Sequence, residues 1–188
     1  MMKQLILGVI FLIQANLAYA AVATYHVAPG GSDWPCGGTS NACDKISTVT
    51  SNTSANNVTI RLAAGSYDDV VYIDASGSAI SILTISGGWN ADFSNQDCEP
   101  LSTVLRVQVN HSAIKIYTPA ASSIDADLSC VTIKGIAATS RIGLALSTRG
   151  GDITFKAQQI VFDHIAGSAL TLYSDDSGSL MLSCKKSF

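Results

Sequence analysis

From Val58 onward the chain repeats itself, and that repeat restricts the fold more than any other feature. Val58, Ile60 and Leu62 alternate with Thr59 and Arg61, the two-residue period of a strand with one buried face. Short runs of the same kind follow at Val71/Ile73, Ile82–Ile85, Leu105/Val107, Ile114/Ile116, Val131/Ile133, Leu144/Leu146, Ile153/Phe155, Ile160/Phe162, Leu170/Leu172 and Leu180/Leu182, separated by Gly, Ser, Asn and Asp turns. The runs recur at a nearly constant interval. Val131-x-Ile133 returns 29 residues later as Ile160-x-Phe162, Leu144-x-Leu146 returns after 26 as Leu170-x-Leu172, and Ile153-x-Phe155 after 27 as Leu180-x-Leu182. Earlier in the chain, Leu105-x-Val107 precedes Val131-x-Ile133 by 26 and Ile114-x-Ile116 precedes Leu144-x-Leu146 by 30.

Three strand positions that repeat together describe a solenoid. Each rung contributes three short strands, successive rungs stack ~4.8 Å apart into parallel sheets, and inward apolar residues form one continuous core. The alternative is an antiparallel β-sandwich, which also has many short strands but no triple repeat in register. Composition agrees with an all-β chain: Ser, Thr, Gly and β-branched residues abound, and no 3.6-residue periodicity is sustained. The formal net charge of −3 and the scattered basic residues exclude a nucleic-acid partner, which requires a basic patch.

The first twenty residues read differently. Lys3 precedes the apolar run Leu5–Ile13, and Ala18-Tyr19-Ala20 supplies small residues for cleavage, the pattern of a secretory signal peptide. The run is about half the length a membrane span needs. The expected organisation is a signal peptide at 1–20, an N-terminal strand, cysteine loop and cap at 21–57, and incomplete β-helix rungs at 58–188. The expected location is secreted or cell-surface, with no transmembrane segment after cleavage.

Export permits disulfides. Of five cysteines, Cys36 and Cys43 flank a short loop and form the first expected pair; Cys98 with Cys130 is the second, though other connectivities fit the spacing. Cys184 is left over. No CxxC occurs, and His26, His111 and His164 lie at no metal-ligand spacing. Asp44 is placed to cap a brief helix in which Ile46 and Val49 share a face. Because Leu180–Phe188 breaks off after a strand with no polar closing rung, truncation at the C-terminus is expected.

Two stretches resemble a known family. Tyr25-His-Val-Ala-Pro-Gly-Gly-Ser-Asp33 followed by Cys43-Asp-Lys-Ile-Ser-Thr48 is similar to the entry segment of secreted right-handed parallel β-helix proteins of the pectin-lyase-like superfamily. Val58–Tyr67 resembles their first rung, and Ile85-Ser-Gly-Gly-Trp-Asn-Ala-Asp-Phe93 with Thr103-Val-Leu105 resembles a segment of bacterial surface members. The resemblance implies a right-handed parallel β-helix and, among family enzymes, action on acidic polysaccharides through calcium-binding or grouped carboxylates.

The residues offer few matching constellations. Asp175-Asp176 is the tight acidic pair of the C-terminal half and the weak calcium candidate; no other cofactor is expected, and Asp is also a common turn former. Asp163-His164 follows a strand, Asp125 and Asp127 flank Ala126, and Asp68-Asp69 sits at a rung corner; each reads as a solvated turn before it reads as a catalytic pair. Trp34, Trp89 and Tyr117 are the aromatic candidates for stacking on a sugar ring, with Trp89 also suited to packing. Asn52, Asn57 and Asn110 fit the glycosylation pattern. The expectation is therefore an exported, non-catalytic β-helix acting as a surface, adhesive or carbohydrate-contacting module. The alternative is a fragment of a polysaccharide lyase or hydrolase whose active site lies largely outside this chain.

Overall fold

The computed structural model describes residues 22–99, 102–109, 111–135, 142–175 and 177–185. The signal-peptide segment, Asn110 and Asp176 lie outside them. Twelve strands and one helix are present among the described residues: β1 (Val22–Ser32), α1 (Ile46–Asn52), β2 (Asn57–Ala63), β3 (Gly65–Tyr67), β4 (Val71–Asp74), β5 (Ile82–Trp89), β6 (Thr103–Val107), β7 (Ser112–Pro119), β8 (Ser123–Gly135), β9 (Ile142–Arg149), β10 (Asp152–Asp163), β11 (Ser168–Asp175) and β12 (Ser179–Lys185).

All named strand pairs are parallel, and neighbours in the sheet are one repeat apart in sequence. Sheet A runs β1-β2-β5-β8-β10-β12, with β3 and β6 continuing it along a second side; sheet B runs β4-β7-β9-β11. The chain is thus a parallel β-solenoid of about four turns. The sandwich alternative fails because the named strands pair in parallel, whereas a sandwich is built from antiparallel neighbours.

Inward residues stack in columns. On sheet A, Val58, Leu83, Ala126, Phe155 and Leu182 form one column, and Ile60, Ile85, Leu128, Ala157 and Cys184 the next. On sheet B, Ile73, Ile116, Leu146 and Leu172 stack likewise. Phe155, the largest fully buried side chain, sits beside small Ala126, a size alternation that lets the rungs keep their spacing. Among the described residues no strand covers the outer edges of β11 and β12, and Leu172 on this last turn is 45% exposed.

Three expectations are corrected here. The short separate runs Val131/Ile133 and Ile153/Phe155 with Ile160/Phe162 become parts of strands of 13 residues in β8 and 12 in β10, because Cys130 (φ 58°) and Gln159 (φ 54°) turn the corner without interrupting the sheet. Leu105 pairs with Ile133 rather than Val131, two residues from the sequence-based alignment. A two-residue slip keeps every side chain on the same face, so alternation alone does not detect it. Finally, Asp44 does not cap α1. Its carboxylate accepts from the Gly30 amide at 3.0 Å, and buried Asp69, reaching in from the corner after β3, accepts from the Ser47 amide at 2.7 Å. Ile46 and Val49 are fully buried, as the shared face requires.

Both expected disulfides are formed. Cys36–Cys43 closes the loop after β1, and Cys98–Cys130 ties the excursion between β5 and β6 to the corner of the next turn. Within that excursion, Phe93 packs on His26, with ring centroids 4.5 Å apart. Cys184 is free and exposed, yet its register places it in a core column; its exposure comes from the uncovered edge.

Candidate functional site

Residues that point inward build the core, so any site must lie on outward-facing columns or at corners. The outer face of sheet B carries two such columns. Tyr72, Lys115, Ala145 and Thr171 form one; Asp74, Tyr117, Ser147 and Tyr173 form the other. Three tyrosines therefore share one face, contributed by β4, β7 and β11. Tyr72 is 49% exposed and Tyr173 58%. Rungs of small residues, Ala145 and Ser147 on β9, leave the floor between them low.

The polar groups on this face are placed by local chemistry. The Lys115 ammonium lies 5.2 Å from the centroid of the Tyr72 ring, within cation–π range. Asp74 ends β4 in a turn where the Ser76 hydroxyl (2.7 Å) and amide (2.9 Å) both donate to Oδ1, and these bonds hold its carboxyl below the usual range. Partial desolvation, and after it the charge on Asp74 and the neighbouring Tyr117, push the Tyr72 hydroxyl above its ordinary value. An open depression of about 530 Å³ adjoins the columns, lined by Val70, Tyr72, His111, Lys115, Ile142 and Ala145. The face thus combines aromatic rings and hydroxyl donors with one cation and one anion at its margin.

Sheet A presents a more polar outer face. Thr24, Thr59, Thr84, Asp127, Lys156 and Ser183 stack in one column, with Ile82, Asp125 and Thr154 in the next. Asp125 and Asp127 share this face, with Lys156 in register beside Asp127, around a depression of about 190 Å³.

The aromatic candidates are not brought together. Trp34, 39% exposed, lies against Tyr25 in the loop after β1, with ring centroids 5.9 Å apart. Trp89 is half-buried at the margin of sheet A, its ring under the Arg61 guanidinium at 4.3 Å and its Nε1 donating to Ser86 Oγ at 3.0 Å. Tyr117 alone stands on sheet B, where its companions are Tyr72 and Tyr173. Those two, with Lys115, escaped sequence reasoning, and His111 was weighed there only as a metal ligand; the signal was present in the register, since Tyr117 and Tyr173 both occupy the outward position of aligned repeats.

Apart from Asp125 and Asp127, which stand on strand β8 rather than in a turn, the acidic candidates also separate. Asp68 pairs with Arg106 at 3.1 Å and accepts from Gln108 at 3.2 Å. Asp163 pairs with Lys134 of the preceding turn at 3.0 Å and contacts the His164 ring. The Lys134 bond is the main cause that holds Asp163 below the usual carboxylate range. Asp175 ends β11 in register with Arg149, while Asp176 lies outside the described residues. Among the described residues no group of three His, Cys, Asp or Glu is placed to hold a metal ion, and no helix is long and apolar enough to cross a membrane. Comparison of the chain with models of known families, with curated proteins and with solved structures finds no match.

Proposed function

We propose that this chain is an exported β-solenoid that contacts carbohydrate through the outer face of sheet B. The observation that carries the reading is the set of tyrosines, exposed Tyr72 and Tyr173 with half-buried Tyr117, on one regular sheet face beside a shallow depression. Rigid strands hold these rings at fixed separations, so little side-chain entropy is lost when a flat ligand lies on them. Two disulfides and the signal-like N-terminus support an extracellular setting.

Retention of the purified chain on immobilised polysaccharides of differing linkage and charge tests the reading. Binding that weakens at least about tenfold in Tyr72→Ala supports it; a wild-type chain that no polysaccharide retains overturns it. The second reading, a piece of a polysaccharide-cleaving enzyme, rests on Asp125 and Asp127 sharing the face that carries Lys156. New unsaturated or reducing ends after incubation with polyuronates, with and without calcium, decide in its favour, and their absence decides against activity in this chain.

A further inference from the structure

The spacing of the tyrosines names a class of glycan. We infer that the sheet-B face takes an extended β-1,4-linked chain lying along the solenoid axis, across the strands; this rests on the carbohydrate reading above. Tyr117 and Tyr173 stand in the same outward column with Ser147 between them. They are two rungs apart, or ~9.6 Å at the usual strand spacing. An extended β-1,4-linked pyranose chain turns each sugar over relative to the last. The same ring face therefore returns once per disaccharide, a length close to two rungs. Alternate sugars then meet Tyr117 and Tyr173, and the sugar between them lies over Ser147, whose small side chain leaves room and offers a hydroxyl.

The strand direction does not provide this match. Same-face side chains along a strand recur every ~6.8 Å, which is not a whole number of sugars. A coiled α-1,4-linked chain does not keep a straight two-residue period at all. Tyr72, one rung before Tyr117 and in the adjoining column, widens the track on the side where Lys115 supplies an ammonium donor.

The test is calorimetric titration of the chain with linear β-1,4-linked gluco- and N-acetylgluco-oligosaccharides of two to six sugars, and with α-1,4-linked gluco-oligosaccharides of the same lengths. The β-linked series is expected to gain at least about tenfold in affinity between the disaccharide and the tetrasaccharide, as the second ring is engaged, with no such step in the α-linked series. Tyr117→Ala and Tyr173→Ala are each expected to abolish the step, while Tyr117→Phe keeps it; Tyr173 is well exposed, so its truncation leaves the fold intact. Equal affinity for both linkages, or a disaccharide that binds as tightly as the tetrasaccharide, overturns the ribbon and leaves carbohydrate contact standing. Failure of all these oligosaccharides to bind overturns the β-1,4 assignment, while the carbohydrate reading falls only if the immobilised polysaccharides also fail to retain the chain.

Discussion

The hydroxyl of Tyr67 lies 3.0 Å from the carbonyl of Val27, forty residues earlier in the chain, and 2.7 Å from the carbonyl of Ala63. One proton is thus shared between β1 and the first full turn, at a ring only 3% exposed. Tyr67→Phe removes that donor and leaves buried carbonyls short of a partner, at an expected cost of about 1–2 kcal/mol at neutral pH.

The same group makes stability fall in alkali. Burial first, and then the Asp44 charge, push the Tyr67 hydroxyl far above its ordinary range. Below about pH 10 both folded and unfolded chains hold the proton, and the contribution is constant. Above it the unfolded chain releases the proton while the folded one keeps it, so unfolding becomes easier as pH rises. Urea titrations between pH 8 and 12 are expected to show Tyr67→Phe less stable at pH 8 but flatter with pH. A variant whose curve runs parallel to wild type contradicts the account.

The two disulfides differ in the length of chain they close, 32 residues of separation for Cys98–Cys130 against 7 for Cys36–Cys43. In the chain-entropy relation these correspond to about 3.7 and about 2.5 kcal/mol. Paired serine variants, compared by denaturant unfolding, are expected to rank in that order. Thiol titration of the native protein is expected to count one reactive group, Cys184, and five after unfolding with reductant.

Gly88 begins the excursion that Cys98 anchors. Its φ is +77°, and a Cβ there would stand 1.9 Å from the Asp97 carbonyl oxygen. Gly88→Ala is expected to cost more than about 2 kcal/mol, from left-handed backbone and a clash with main chain that has little freedom to move. Gly77→Ala is the control: nothing lies within 4 Å of its Cβ position, and the change should fall within about 0.5 kcal/mol. Equal effects in thermal melts would contradict the turn described here.

Phe155 and Leu182 occupy one core column, but only Phe155 is covered on both sides. Phe155→Ala should therefore lose about 3–5 kcal/mol, and Leu182→Ala distinctly less, because its neighbouring rung is open to water and it leaves no closed cavity.

Much of the fold was legible in the chain. Alternation decided which residues face the core. The repeat decided that strands pair with their counterparts one turn away: Ile160 with Val131, Leu170 with Leu144 and Leu180 with Ile153 stand where the spacing put them. The short span between Cys36 and Cys43 announced its own closure. Ile114 likewise pairs with Leu144 as the 30-residue spacing put it, but the register of Leu105 was not legible, because a period of two assigns a face and leaves the partner free to slip by two residues. Nor could local sequence supply Asp69 to α1, since the corner that delivers it lies 22 residues beyond the amide it binds.

The candidate site belongs to the tertiary structure for the same reason. Tyr117 was visible as an aromatic candidate, whereas Tyr173 was passed over although its strand, Leu170/Leu172, was assigned. What sets them two rungs apart in one column is the length of the turns between them, 30 residues from Tyr117 to Ser147 and 26 from Ser147 to Tyr173, closed into equal rungs by different corners. Residue type and alternation determine that each tyrosine points outward; only the stacked register, held by main-chain hydrogen bonds between rungs, determines that they share one face.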